Sequence, residues 1–481
     1  MKTLLGVYGI NAFAFLSNLA AIFVFLSVAG PAGYGGYGIY IVFLAIYYLW
    51  DISLIKTMLF VHNDAQQRGE SDPTVSSAAF LRGSLVPFAI GSVVLIGAGD
   101  LIYPVDSATG IGGTIVMLTV ALEHLLSYPA NRLAYHLTLD QRFRRIYALR
   151  LAATLLRHAL SWGVLLFTGS VYWAIVAILV KGVVVGAVSL VWVSRRYTHA
   201  RTSDSRFRSA HVGVLLSFFF AATVVVVMQE LPSFFIDRNY GREALGSYRT
   251  LYDIVAAVWF VATIYPTILF SHLLIGKAQL ARDERTDQLV RFGDRLALFH
   301  LAYFFGACAL IVVERSFLWG MLENTSYAFG VVAGVSILGY SRFLVEVAQA
   351  HGLGRNVLVA TIATALSIAL VFMIWPAESG LAEIGWAWLI GQTMFLLLLK
   401  IILLPLADRS LRTFRDAAIL LLPIGFIAGA HHLLPPTPLL AVCVAGVTVS
   451  LCALFVLMRS SLAPAVQTRS PEGGRIPQRR Q

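Results

Sequence analysis

Charge is scarce in this sequence: only 13% of its 481 residues are charged, whereas 58% are hydrophobic and the mean hydropathy is +0.78. A soluble domain carries about 25% charged residues, so this chain could not cover a surface that faces water. Cysteine is scarce too, and Cys308, Cys443 and Cys452 all lie in apolar runs, where we expect neither a loop disulfide nor a metal site. The sequence also lacks a phosphate-binding loop of the Walker type, which excludes ATP hydrolysis by the chain itself.

Long loops are absent as well, because apolar runs of about 20 residues, long enough to cross a bilayer, follow one another along the chain. We predict an all-α polytopic membrane protein with about fourteen transmembrane helices, numbered here as spans one to fourteen. The predicted spans are 5–29, 38–61, 79–102, 111–136, 150–168, 173–194, 211–236, 246–275, 296–313, 326–347, 357–376, 381–406, 416–434 and 438–458. Such short connections leave no room for a soluble catalytic domain, so we do not expect an enzyme.

Lys and Arg are distributed unevenly between the two sets of loops, which predicts the orientation. If the N-terminus is cytoplasmic, the opposite loops hold only Arg238, Arg242 and Arg315 among the basic residues outside the spans. Both termini are therefore predicted to lie in the cytoplasm, on a multi-pass protein of the inner membrane. The net charge of +11 then reflects topology, and we predict no nucleic-acid partner.

Two loops share a pattern. Residues 30–37 read Gly-Pro-Ala-Gly-Tyr-Gly-Gly-Tyr and residues 241–248 read Gly-Arg-Glu-Ala-Leu-Gly-Ser-Tyr, so both fit Gly-x-x-x-(Tyr/Leu)-Gly-x-Tyr. Six spans, an even number, separate the copies, which predicts a repeat whose halves have the same orientation. Glycine permits the tight turn, and Tyr is expected to anchor the next helix at the membrane interface.

The first copy resembles the Leu-Gly-Pro-x-x-Tyr-Gly-x-Tyr signature of bacterial polysaccharide flippases, with Ala29 in place of the usual Leu. These flippases belong to the multidrug/oligosaccharidyl-lipid/polysaccharide exporter superfamily, and the resemblance, which includes the O-antigen flippases, extends over roughly residues 1–400. It implies two six-helix lobes related by a parallel repeat plus two C-terminal helices. The implied divisions are an N-lobe at 1–200, a C-lobe at 201–408, spans thirteen and fourteen at 409–458 and a disordered cytoplasmic tail at 459–481.

Charged residues inside spans need a reason, because a charge at mid-bilayer costs at least about 2.5–3.5 kcal/mol. Lys181 lies near the middle of span six and Arg157 about two turns into span five. We predict that both line an internal cavity, with pairing to an acid such as Glu123 as the alternative. Asn11 and Asn18 share a face of span one and are expected to bridge helices.

A second group of charges lies on spans seven and eight. Arg249 and Asp253 are four residues apart and share a helix face, and Glu230 precedes them on span seven. The resemblance places spans one, two, seven and eight around a central cleft, so it implies that these three residues are cleft residues. The alternative is an ion-pair network that holds one conformation. Lys56 and Arg132, which could snorkel to the cytoplasmic face, and Asp51 are weaker candidates.

The predicted function is that of a flippase for a polyprenyl-pyrophosphate-linked oligosaccharide in cell-surface or exopolysaccharide synthesis, working by alternating access. Arg157, Lys181 and Arg249 would contact the pyrophosphate, and Glu230 and Asp253 would release it or carry a coupling ion, H⁺ or Na⁺. Membrane lipids and a polysaccharide polymerase are the other expected partners, and no cofactor or metal is expected. Two alternatives stay open: an antiporter of drugs or other cations with the same fold, and a lipid II flippase.

Overall fold

A computed structural model of the chain describes residues 2–67, 77–106, 109–196, 209–256, 282–317, 325–350, 354–374, 381–403, 422–426 and 436–460. The regular structure in these ranges is helical throughout. The helices are α1 (Lys2–Gln67), α2 (Ser77–Ile102), α3 (Gly113–Ser127), α4 (Pro129–Leu139), α5 (Phe143–Thr168), α6 (Val171–Val176), α7 (Leu179–Arg196), α8 (Ser209–Ala256), α9 (Arg282–Phe317), α10 (Thr325–Ala350), α11 (Gly354–Ile374), α12 (Leu381–Leu403) and α13 (Pro436–Ser460).

The predicted all-α membrane architecture is confirmed. Nine helices of the described ranges are long and apolar enough to cross a membrane. Two of them contain apolar stretches of 57 and 45 residues, at Gly6–His62 and Val212–Ala256. At about 1.5 Å per residue each is more than twice the thickness of the hydrocarbon core, so each accounts for two predicted spans. Span thirteen is described only at 422–426, and the predicted tail beyond residue 460 lies outside the described residues.

Spans four and six were predicted as single helices, but each consists of two. Span four is interrupted at Tyr128, where Pro129 cannot donate a backbone hydrogen bond. Span six changes from α6 to α7 through short i→i−3 bonds, including Lys181 N to Ile178 O at 2.9 Å. Such a tight turn has no marker in the sequence, because the residues around it are ordinary apolar helix formers.

The repeat is visible in the backbone of the two turns. Gly30 has φ 68° and ψ −177°, and Gly241, at the equivalent position of the second copy, has φ 84° and ψ 178°. Each glycine bends its long helix into two segments at the point where the predicted spans meet. Side chains other than glycine rarely adopt this conformation, so the shared glycine is explained by the shared bend. The residue limits of the two lobes remain a prediction.

Small residues bring α7 close to α3. A Cβ atom added at Gly182 would lie 2.7 Å from the carbonyl oxygen of Glu123, and one added at Gly186 would overlap the carbonyl oxygen of Leu126. The two glycines are four residues apart and therefore lie on one face, an arrangement by which membrane helices approach closely. This close packing places Lys181 directly opposite the turn of α3 that carries Glu123.

We expect Gly30→Ala and Gly241→Ala each to destabilise the protein by about 1–2 kcal/mol. An added Cβ meets nothing within 4 Å at either position, so the cost comes from the backbone conformation alone. The matched control is Gly163→Ala in α5, where an added Cβ also meets nothing within 4 Å and the backbone is helical. Thermal unfolding in detergent measures the difference, and equal melting temperatures for the three variants would contradict the assignment of strain to the two turns.

Candidate substrate cavity

A cavity of about 300 Å³ lies between α1, α5 and α8. Most of its wall comes from the first segment of α1 and from the start of the second. The polar residues that line it are Asn11, Asn18, Tyr34, Tyr37, Arg157, His158 and Asp253. The remaining lining residues are Ala14, Phe15, Leu19, Ala21, Ile22 and Ile41. The cavity therefore has a mixed wall, with polar groups from α1, α5 and α8 and an apolar strip along α1.

Arg157 is the cation of this wall. Its Nη2 donates a hydrogen bond to Asn18 Oδ1 at 2.9 Å, and His158 Nε2 lies 2.9 Å from the same oxygen. The salt bridges of the described residues do not include Arg157. The Oη of Tyr37 and the Nδ1 of His158 make no hydrogen bond within the described part of the chain. The cavity thus offers an arginine held by a neutral amide, with further hydrogen-bonding groups close to it.

Arg249 has a different environment, because it is held by two carboxylates. Nη1 lies 2.6 Å from Glu230 Oε2 and Nη2 lies 2.5 Å from Asp253 Oδ1, and the arginine is only 2% exposed. Ser233 donates to Glu230 and Tyr34 donates to Asp253 Oδ2 at 2.7 Å. The three predicted cleft residues are therefore together, as an ion-pair network, and only Asp253 of the three lines the cavity.

Lys181 does not line the cavity either. Its Nζ lies 2.5 Å from Glu123 Oε1, and the two side chains are 12% and 3% exposed. This is the acid pairing that the sequence allowed as the alternative. A buried ammonium group with a carboxylate this close is satisfied by its neighbour, so the geometry gives Lys181 no contact with a ligand in the cavity.

The weaker candidates lie elsewhere in the bundle. Asp51 accepts a hydrogen bond from Asn131 Nδ2, and one of its oxygens is 3.0 Å from His124 Nε2. Lys56 is buried on α1 and Arg132 lies on α4. The cavity wall contains none of Asp51, Lys56 and Arg132.

Sequence reasoning assigned other roles to several wall residues. Asn18 bridges α1 to α5 as expected, but it also lines the cavity. Tyr34 and Tyr37 were expected to anchor a helix at the membrane interface, yet each is only 2% exposed and both line the cavity. Their position follows from the bend at Gly30, which turns this part of α1 into the bundle. His158 was overlooked, and its only signal in the sequence is that it follows Arg157.

Comparisons with known proteins agree with this architecture. No protein-family model and no curated protein sequence matches the chain. Solved structures do match: the lipid II flippase MurJ in an inward closed conformation, at 10% identity, covers 95% of this chain and 99% of its own, with a TM-score of 0.60. The MATE multidrug transporter DinF-BH, at 15% identity, covers 87% of this chain and 96% of its own, with a TM-score of 0.62. A mutant of the Vibrio cholerae MATE transporter VcmN, at 14% identity, covers 84% and 96%, with a TM-score of 0.57.

At identities this low, the structural likeness establishes the fold alone. A further match is described as a MATE family transporter of the MOP superfamily, at 13% identity, 90% coverage of this chain and a TM-score of 0.56. The chain thus has the fold of these polytopic membrane transporters over nearly its whole length. The resemblance that began with the Gly-Pro-x-x-Tyr-Gly-x-Tyr turn is confirmed at the level of fold.

We expect the Lys181–Glu123 pair to act as a unit in stability. Removing one charge leaves the other buried and uncompensated, which costs about 3–5 kcal/mol, whereas removing both is much less costly. Lys181→Met and Glu123→Gln should each lower the melting temperature in detergent more than the double variant does. A double-mutant cycle on the three variants measures the coupling, and additive effects would show that the pair is not a coupled unit.

Proposed function

We propose that the chain is a flippase that moves a polyprenyl-pyrophosphate-linked oligosaccharide across the inner membrane by alternating access, with both termini in the cytoplasm. The fold supports a transporter, since its structural neighbours include a lipid II flippase and multidrug transporters. The substrate is inferred from the cavity. The observation that carries the inference is the placement of Arg157 in the cavity wall without a carboxylate partner among the described residues.

A sugar-phosphate head group cannot cross hydrocarbon unaided, because its hydroxyl and phosphate oxygens would lose their hydrogen bonds to water. A polar cavity replaces part of that water while a polyprenyl tail stays in lipid. At about 300 Å³ the cavity is at the lower end of the range for small-molecule sites. It would hold the pyrophosphate and the adjoining sugar, and the rest of the oligosaccharide would extend towards the water-filled side.

Arg157 suits a phosphate for two reasons. Its planar guanidinium presents paired donors that match phosphate oxygens, and it stays charged at every relevant pH. Its present partner, the Asn18 amide oxygen, is neutral, so an incoming phosphate would replace a weaker hydrogen bond with a charge-assisted one. Tyr37 Oη and His158 Nδ1 have no hydrogen-bond partner among the described residues. After small side-chain rotations, the Tyr37 hydroxyl would donate to the same phosphate oxygens. Because His158 Nε2 faces the Asn18 oxygen and must donate to it, Nδ1 is an acceptor and would take a hydrogen bond from an adjoining sugar hydroxyl.

A cationic drug would need an available carboxylate instead. Asp253 is the only acid among the described residues that line the cavity, and it is already bound by Arg249 and Tyr34. The charge arrangement therefore favours an anionic substrate over the drug antiporter that the sequence left open. A lipid II flippase would use the same contact with pyrophosphate. The cavity therefore does not distinguish the two flippase candidates, and a transport assay with each substrate is needed to do so.

We expect Arg157→Gln to reduce flipping by about 10-fold or more, because a hydrogen bond between charged groups contributes about 1.5–3 kcal/mol. Arg157→Lys should retain part of the activity, since it keeps the charge and loses the paired donors. The measurement is translocation of a fluorescent polyprenyl-pyrophosphate oligosaccharide in proteoliposomes, with a lipid II analogue and a cationic dye as competing substrates.

Arg145→Gln is the matched control, because Arg145 lies on the same helix, is exposed and does not line the cavity. It should leave flipping unchanged. Wild-type rates for Arg157→Gln at equal protein levels would refute the phosphate contact. Faster movement of the lipid II analogue or of the dye than of the oligosaccharide would instead support the corresponding alternative.

A further inference from the structure

The two glycine-rich turns contact each other in a reciprocal way. A Cβ atom added at Gly35 would lie 2.5 Å from the carbonyl oxygen of Arg242, and one added at Gly246 would overlap the carbonyl oxygen of Pro31. Gly35 and Gly246 are equivalent in the two copies of the repeat, and so are Pro31 and Arg242. Each copy therefore receives the other's carbonyl at its own glycine, which is the contact pattern of a two-fold axis.

This backbone contact lies just after the bends at Gly30 and Gly241 of the two long helices. Other glycines on the same helices, Gly9 in α1 and Gly213 in α8, would have nothing within 4 Å of an added Cβ. Beyond the turns the contact continues at Gly38, whose added Cβ would lie 3.0 Å from the Cγ of Arg249. The two long helices are thus in backbone contact at the turns, whereas farther away they meet through side chains, as at Trp50 and Phe219, whose ring centroids are 5.1 Å apart.

Hydrogen bonds are found beside the same two turns. Tyr34 on α1 donates to Asp253 on α8, and both residues line the cavity. Arg242 Nε lies 2.7 Å from Asp237 Oδ1, and its Nη2 donates to the carbonyl oxygen of Pro104 at 3.1 Å. Backbone contact and a small number of polar bonds are therefore concentrated beside the turns, next to the two cavity residues Tyr34 and Asp253.

We propose that the crossing of Gly35 and Gly246 is a seal that closes the cavity on the side of the two turns, with the Tyr34–Asp253 hydrogen bond as its latch. Transport requires this seal to separate. Glycine surfaces contribute no interlocking side chains, and contacts of Cα–H groups with carbonyl oxygens are weak. Such a contact excludes water when closed and can part without repacking a core. The proposal rests on the transport function but not on the identity of the substrate.

The test measures access to the cavity from each side of the membrane. The reporter is Ala14→Cys in the cavity wall, in a background that lacks Cys308, Cys443 and Cys452. A membrane-impermeant maleimide is applied to right-side-out and to inside-out vesicles. A second reporter, Glu243→Cys on the exposed face of the turn, identifies which vesicle face is the turn side, so the result does not depend on the predicted orientation.

With the seal intact, Ala14→Cys should react slowly from the turn side. Gly246→Ala and Gly35→Ala should each raise that rate by about 10-fold or more, because the added methyl meets backbone and the closed state is depopulated. Tyr34→Phe, which removes only the latch hydroxyl, should raise it by a smaller factor. The controls Gly9→Ala and Gly213→Ala, on the same two helices, should leave it unchanged.

Unchanged labelling from the turn side in Gly35→Ala and Tyr34→Phe, both present in the membrane at normal levels, would overturn the proposal even if Gly246→Ala did not fold. An equal rise in the Gly9→Ala and Gly213→Ala controls would overturn it as well. The assay contains no substrate, so its failure would leave the flippase assignment intact. Conversely, if Arg157→Gln flipped the substrate at the wild-type rate, the phosphate contact would be refuted but the proposed seal would not be affected.

Discussion

A charged side chain in the interior of a membrane protein must find a partner, and the arrangement of the bundle follows from this requirement. Arg249 is held by Glu230 and Asp253, Lys181 by Glu123, and Arg242 by Asp237. The Lys181–Glu123 pair joins α7 to α3, and the Arg249–Glu230 and Arg242–Asp237 pairs join the two segments of α8 across the bend at Gly241, so these three pairs constrain how neighbouring segments are rotated. Once these cations are satisfied they have little capacity left for a ligand.

Arg157 departs from this pattern, and the departure gives the cavity its chemical character. Among the described residues it is held by an amide and not by a carboxylate. A neutral partner costs little to replace, whereas a buried carboxylate separated from its arginine would be left uncompensated. The same comparison explains why the Arg249 network is better suited to holding a conformation than to exchanging ligands. Tyr34 and Asp253 connect the two systems, because they belong to the network and to the cavity wall at once.

Much of the architecture could be predicted from the sequence, because it depends on local properties. The spans follow from runs of apolar residues, and within the described ranges each predicted span is mainly helical. The repeat was detectable because a left-handed backbone position strongly favours glycine, so Gly30 and Gly241 mark the same bend in both copies. The breaks in spans four and six were not predicted. Pro129 gave only a weak signal, and the turn before Lys181 gave none.

The sequence by itself determined that the chain is a helical membrane protein with a repeated turn, and that a few charges must be buried. Only the tertiary structure decided which partner each charge has. Lys181 and Glu123 are 58 residues apart, and Arg157 and Asn18 are 139 residues apart. The physical reason is that hydropathy constrains where a helix lies in the bilayer but not its rotation about its own axis. That rotation is set by close contacts such as those at Gly186 and Gly246, and it decides which side chains face the cavity.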